Sequence, residues 1–354
     1  MVDLNLALQD PPHEGEPERD ESTIEQRETI GLSQGQIVRK RFFRHRGAVI
    51  SIFVLAFVIV LAYTSVGLHL WGLSTTGWWP WHWRETPPLV NRGIPTLNLI
   101  PGPGFGIGPH PFGQDVVGHD IFALVMRGAQ QSIMIMVLVG SVGTMVGVFI
   151  GSLAGFYRGW SDSLLMRFTD VIITIPFIVI GAVIGRSTGS LGAAVLGLML
   201  GLFAWTGLAR LVRGEFLSLR EREFIDAARV SGASDKRIIF KHILPNAVGV
   251  IIVSATLLMA GAILGETALS FLGFGVKSPD TSLGLIVAEN QAAFATRPWL
   301  FWWPGVFIIV IALSVNFIGD GLRDAFDPRQ KKMPSPRALA RAAVRRARDK
   351  RVSV

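Results

Sequence analysis

The sequence predicts an all-α polytopic membrane protein with six transmembrane helices, and three observations carry the prediction. Of 354 residues, 50% are hydrophobic and only 17% are charged, a balance far from that of soluble domains. Five charge-free stretches, residues 47–67, 128–156, 187–209, 246–265 and 298–319, are each long enough to cross a hydrocarbon core of about 30 Å. The basic residues fall unevenly about these stretches. Alternating six spans from a cytoplasmic N-terminus puts Arg39, Lys40, Arg41, Arg44 and Arg46 inside, with eight basic residues in 210–241 and eleven in 323–351. The outer side receives Arg84, Arg92, Arg127, Arg186, Lys277 and Arg297. This is the positive-inside pattern, so the net charge of +8 orients the chain in a cell membrane, both termini cytoplasmic, and is not a nucleic-acid footprint. The chain has no cysteine, which excludes disulfides, thiolate metal sites and cysteine nucleophiles.

Residues 1–35 form an acidic tail with nine Asp or Glu among the first 30; they bury too little apolar surface to offset ordering entropy, so disorder is expected. No basic segment precedes an apolar core there, so no cleavable signal peptide is expected. The basic juxtamembrane segment 36–46 suits a surface helix on anionic headgroups. After the first span, about 47–67, a long outer loop carries Trp71, Trp78, Trp79, Trp81 and Trp83, half of the ten tryptophans, as expected of a headgroup belt. Residues 101–108 are a Pro- and Gly-rich linker without a phosphate-loop lysine. His110, Asp115, His119 and Asp120 resemble a metal set, but the aspartates are expected to cap turns or the next helix; no metal site is assigned.

The second span, about 128–156, repeats Gly143, Gly147, Gly151 and Gly155 every fourth residue, a stripe for close helix packing. Gly181 and Gly185, Gly197 and Gly201, and Gly261 and Gly265 repeat the device more weakly. The third span has only 15 uncharged residues between Asp170 and Arg186, so it borrows its flanks and is set at about 168–186; the fourth is 187–209. In the fifth, about 246–266, Glu266 lies roughly 30 Å beyond Pro245, near the outer interface, as a gate or hinge or as a simple helix end. Residues 282–286 are apolar enough to dip back into the membrane face. The sixth span, about 298–320, ends with Asp320 and Arg323 at helix-pair spacing, before a basic tail at 330–354.

Between the fourth and fifth spans, residues 210–245 form a charged connector with too regular a pattern for filler. Phe224, Ala227 and Ala228 fall at helical spacing and present a small-residue face. Gly232 suits the positive φ of a tight turn, Ser234 is placed to cap a second helix from Asp235, and Pro245 marks where that helix gives way to the fifth span.

The spacing of Asp226, Ala227, Ala228, Gly232 and Pro245 resembles the coupling motif of ABC importer permeases, the loop through which a membrane subunit engages its ATPase. Asp226 stands in place of the usual Glu, and His242 where many members have Ile. Residues 110–120 resemble the HPLGTDxxGRD stretch of peptide and nickel permeases, with His119 for Arg. The segment from Glu266 to Gly275 resembles ETALSFLGLG, and the segment from Asn316 to Arg329 the closing LGDGLRDALDPR. Over about 39–329 the chain is similar to the dipeptide/oligopeptide/nickel type of ABC importer permease.

The resemblance implies a type I importer permease domain over 47–329, forming half of the transmembrane pathway for peptides or similar small solutes. Its implied partners are a homologous second permease subunit, two ABC ATPase subunits or one fused ATPase, an external binding protein, and membrane lipid. It implies ATPase coupling through Phe224, Asp226, Ala227, Ala228, Gly232, His242, Leu244 and Pro245. ATP and Mg would be bound by the ATPases; this chain has no Walker A loop and is expected to bind no cofactor and catalyse nothing. The alternative, a stand-alone secondary transporter or channel, ordinarily needs acids or a polar filter at mid-membrane, which the clear spans lack. A scaffold acting through its basic tail is a third reading. No residue selects the cargo.

Overall fold

The structure is a computed structural model in which residues 34–70, 73–98 and 106–326 are described. The acidic tail, the basic tail, Trp71 and most of the 101–108 linker lie outside them. Helix α1 (Gln34–Arg44) leads into α2 (Arg46–Ser65), capped by His45, whose Nδ1 accepts from Ala48 N at 3.0 Å. A hairpin, β1 (His69–Leu70) against β2 (Leu73–Ser74), begins the long loop. Helix α3 (Ile121–Tyr157) is followed by α4 (Gly159–Thr174), α5 (Phe177–Thr188), α6 (Ala193–Gly201) and α7 (Thr206–Arg220). Short α8 (Glu223–Val230) precedes the long α9 (Asp235–Phe271), and α10 (Leu283–Glu289) and α11 (Trp299–Phe326) complete the order.

Four helices, α2, α3, α9 and α11, are long and apolar enough to cross a membrane; the pairs α4/α5 and α6/α7 qualify only as bent spans, giving up to six. The continuous third and fourth spans expected at 168–186 and 187–209 are therefore broken, by 79° and 42°. Pro176 causes the first break: it has no N–H to donate, and its ring forces Ile175 into extended backbone (φ −83°, ψ 121°). At the second, Phe203 N and Ala204 N both turn back to Leu200 O, and the Trp205 indole donates to Leu202 O at 2.8 Å, satisfying a carbonyl that helix continuation would have used.

Helix α4 also starts nine residues ahead of the expected span, at Gly159, where Asp162 of its first turn is neutralised by Arg213 of α7; further along, Asp170 pairs with Arg210. Likewise α7 runs on to Arg220, which shortens the connector proper to residues 221–234.

Helix α3 is central, touching α2, α4, α6, α7, α9, α10 and α11. Its glycine stripe is buried. A Cβ on Gly151 would stand 2.4 Å from Ala209 O, and one on Gly155 2.8 Å from Arg213 O, both backbone atoms of α7. Gly147 likewise meets Leu208 and Trp205, and Gly143 meets Leu258 of α9. Gly197 and Gly201 bring α6 onto α3, and Gly181 and Gly185 close on Leu269 and Phe274; Gly261 meets nothing within 4 Å and so does not share the device.

Pro245 does not end a helix, contrary to the sequence expectation. Residues Ile238–Ile243 form a π-turn, in which Leu244 N reaches back to Ile239 O. The widened turn puts Pro245 in the first turn of the following α segment, where its missing N–H breaks no bond. Asn246 Nδ2 donates to His242 O at 2.6 Å. The helix is thus continuous from Asp235 to Phe271. At the far end of α11, Asp320 and Arg323 form no ion pair with each other; Asp324 instead lies 3.6 Å from His45 Nε2.

Candidate functional site

The connector is anchored from below. Ile225 is fully buried among Phe216 of α7 and Ile238, Ile239 and Ile243 of α9. Helix α8 is otherwise outward: Phe224, Asp226, Ala227 and Val230 are exposed, and Ala228 is half-buried. Asp226 pairs with Arg229 at 3.1 Å on that surface. Phe240 of the following π-turn is exposed as well. His242 and Leu244 are half-buried and Pro245 is exposed. Of the residues proposed from the sequence, Phe224, Asp226, Ala227 and Gly232 lie on one short outward segment, while Leu244 lies beneath it, packed against the Ile225 cluster.

The C-terminus of α8 is a Schellman turn. Ala233 N donates to Ala228 O at 3.0 Å and Gly232 N to Arg229 O at 2.9 Å, with Gly232 at φ +78°. Ser234 precedes α9 in extended backbone but its hydroxyl makes no cap bond. The chain thus leaves α8, reverses within four residues and enters the rigid α9. Sequence reading missed Ile225: an apolar residue among charges on an eight-residue helix is the only side chain able to fix such a helix to the body. We predict that Ile225→Ala costs about 3 kcal/mol of local stability, read as faster amide exchange in α8 with the spans still protected. Unchanged exchange would mean the anchor lies elsewhere.

Ion pairs brace the same end of the bundle. Arg158, in a positive-φ turn between α3 and α4, pairs with Glu221, and Arg220 donates to Phe156 O.

The opposite end is closed by polar clusters. Asp120 caps α3, accepting from Ala123 N at 2.7 Å and from the Trp79 indole at 3.1 Å, with His110 Nδ1 at 2.6 Å; Asp115 accepts from the amides of Val117, Gly118 and His119. Burial pushes the Asp120 carboxyl above its usual range, against the bonds from His110, Ala123 and Trp79 that pull it down. Among the described residues no group of three or more His, Asp or Glu is arranged to hold a metal.

Arg127 grips Asp280 with two bonds of 2.8 and 2.7 Å, donates to Gln130 at 3.0 Å and lies over the Trp83 ring. This fork joins residues 153 apart in sequence. Arg127→Ala is predicted to destabilise the detergent-purified protein by about 3 kcal/mol, because Asp280 loses its counter-charge, and Arg127→Lys by less, since it lacks the fork. Equal melting of all three proteins would refute the role.

Glu266 lies near the end of α9 as its position suggested, but it is enclosed rather than at a free helix end. Ser132 of α3 and Ser270 of α9 donate to it at 2.8 and 2.6 Å, and Ser282, the N-cap of α10, donates to Ser270 at 3.0 Å. These hydroxyls tie α10 to two long helices. Leu283, Gly284, Ile286 and Val287 are correspondingly buried, in a helix that packs on both.

The family described as binding-protein-dependent transport system inner membrane component matches residues 147–332, and the N-terminal TM domain of oligopeptide transport permease C matches 33–69. The chain is 37% identical over 305 residues to the oligopeptide transport system permease protein OppC of Mycobacterium tuberculosis strain H37Rv, covering 85% of this chain and 97% of that protein. It is 33% identical to the OppC of Haemophilus influenzae, covering 87% and 93%, and 35% identical to a putative peptide permease of Brucella ovis, covering 85% and 94%. A chain of the inward-facing MetNI methionine ABC transporter aligns at 21% identity with a TM-score of 0.48, covering 58% of this chain and 96% of that one.

Proposed function

The chain belongs to the family of binding-protein-dependent transport system inner membrane components, and from that premise we propose that it forms half of an oligopeptide pathway driven through α8. It is a multi-pass membrane protein, the non-catalytic permease subunit of an ABC importer. The oligopeptide cargo is taken from what its relatives are named for. A second, homologous permease subunit supplies the other half. An external binding protein delivers the peptide to the end that carries Asp120 and Glu266, and ATPase subunits, which hold the ATP and Mg, dock at the other, cytoplasmic, end.

One observation carries the mechanism: α8 is exposed on its outer side and fixed by Ile225 to α9, the helix that runs unbroken to Glu266. In this reading Phe224, Ala227, Val230 and Phe240 fill an ATPase groove, and Ala228 permits close approach. Displacement of α8 on ATP binding then moves α9 as a rigid rod, because the π-turn keeps it continuous past Pro245. His242 and Leu244 form the root of that rod. At its other end Glu266 and its serine ring act as the hinge where α10 releases or closes, giving alternating access. A shift of this kind needs the ATPase to bind the two permease conformations with different free energy.

The test is isolation of the full assembly from membranes and reconstitution in vesicles. Co-isolation with an ATPase, and peptide uptake that requires both ATP and the binding protein, are the expected results. Isolation without an ATPase, with uptake driven by an ion gradient, would favour a secondary transporter.

A further inference from the structure

The corner between α1 and α2 is fixed by packing. Phe42 of α1 is buried with Ala48 of α2 and Ala325 of α11, and Val38, Ile52, Ile318 and Leu322 pack around them. A Cβ at Gly321 of α11 would collide with Ala48, so the missing side chain lets α11 receive this corner. His45, the cap of α2, reaches Asp324 of α11 at 3.6 Å. Helix α1 is therefore held in one orientation, with Val38 and Phe42 inward.

The outward stripe has a different make-up. Gln36, Arg39, Lys40 and Phe43 fall at helical spacing and line one surface groove. Phe43 is 61% exposed, against 9% for Phe42 beside it. Arg41, Arg44 and Arg46 are exposed as well, and residues 34–46 contain five Arg or Lys and no Asp or Glu. Bases around an outward aromatic, with no acid among them, are the pattern of a helix lying in a headgroup layer.

Two spans set the level of the corner. The uncharged run of α2 starts at Gly47 and reaches roughly 30 Å by the end of that helix. That is the thickness of a hydrocarbon core, so Arg46 stands at one of its edges. The uncharged run of α11 ends at Gly319, before Asp320, and Ile318 and Leu322, on either side of that boundary, pack against the Phe42 cluster. Both apolar runs thus stop at α1. From the same corner Ile50, Phe53 and Phe57 lead away along α2, each more than 60% exposed.

We propose that the outward face of α1 is a binding site for anionic phospholipid, with Arg39, Lys40 and Arg44 around the headgroup and Phe43 at the top of the acyl chains. Five bases without an acid favour a headgroup of net negative charge over a zwitterionic one. The acidic residues 1–33 of the same chain carry the same sign of charge and are the competing occupant. The outward aromatic and the apolar stripe of α2 favour lipid, which brings acyl chains as well as charge. The site requires neither a particular cargo nor ATP.

The test uses the complete assembly in mixed phosphatidylcholine and phosphatidylglycerol vesicles, with a trace of one lipid or the other carrying a diazirine at the glycerol end of an acyl chain. Labelling of residues 34–46 is expected to be about fivefold greater from phosphatidylglycerol than from phosphatidylcholine. Arg39→Gln, Lys40→Gln and Arg44→Gln together are expected to bring the two lipids level. Labelling of α2 between Ile50 and Phe57 by both lipids, in both proteins, reports that the variant is still folded in the membrane. Equal labelling of 34–46 by the two lipids in the unsubstituted protein, or a preference untouched by the triple variant, would overturn the site. So would crosslinks from Phe43→benzoylphenylalanine to residues 1–33 in place of lipid, which would assign the face to the acidic tail.

Discussion

Gly232→Asp and Ala228→Arg are expected to abolish uptake while leaving the amounts of every subunit normal. At Gly232 an added Cβ meets no atom of this chain within 4 Å, although its φ of +78° is left-handed. The intramolecular cost is therefore backbone strain of about 1 kcal/mol, and less for Asp than for most residues. Such a cost lies well below the usual stability of a folded domain. Loss of uptake must then come from a surface outside the chain that closes on the turn. Ala228→Arg keeps a good helix former in α8 but sets a long charged side chain at a half-buried position of that helix. Immunoblotting of membranes, peptide uptake and ATPase activity of the purified assembly check the pair together. Normal uptake in either variant would remove α8 as the point of coupling.

Gly151→Leu is expected to have the largest effect on folding. The first added carbon would lie 2.4 Å from Ala209 O and 2.8 Å from Val212 Cβ. A backbone oxygen has no rotamer by which to retreat, so α3 and α7 must separate along their whole contact. A loss of about 3 kcal/mol follows from overpacking alone, and the central place of α3 spreads it to several helices. Gly143→Ala should be milder, near 1 kcal/mol, since it meets Leu258 Cδ2 at 2.9 Å, the end of a flexible side chain. Gly214→Ala meets nothing within 4 Å and should be neutral or stabilising by up to about 1 kcal/mol. Thermal unfolding of the three variants in detergent orders them. Wild-type melting for Gly151→Leu would show that these two helices do not meet at this register.

Much of the architecture was legible because it depends on local chemistry. An uninterrupted apolar run such as 47–67 has one stable way to satisfy its backbone in lipid, as a helix. Glycine at every fourth position announces close packing whichever helix arrives, and at 232 it announces a left-handed turn after a short helix. The broken third span was less legible because its charged start looked like a loop until Arg210 and Arg213 were seen to neutralise Asp170 and Asp162. Pro245 misled for a related reason: as a local signal it ends helices, and only the π-turn before it shows how the helix survives. Ile225 was overlooked because periodicity picked out Phe224, Ala227 and Ala228, while the isoleucines that enclose it come from beyond the turn.

From its residues alone this chain was determined to be a helical membrane body with an ordered charged connector and a recognisable family motif. Composition, period and the spacing of glycine and proline are properties of neighbouring residues, and they act before any distant contact forms. The tertiary structure decided where spans bend, which polar groups are paired and which face of the connector remains open. Arg127 finds Asp280, and Ser132 finds Glu266, across more than a hundred residues. Such partners are chosen by the packing of whole helices, because the cost of leaving a buried charge or hydroxyl unpaired is settled only when the elements carrying them meet.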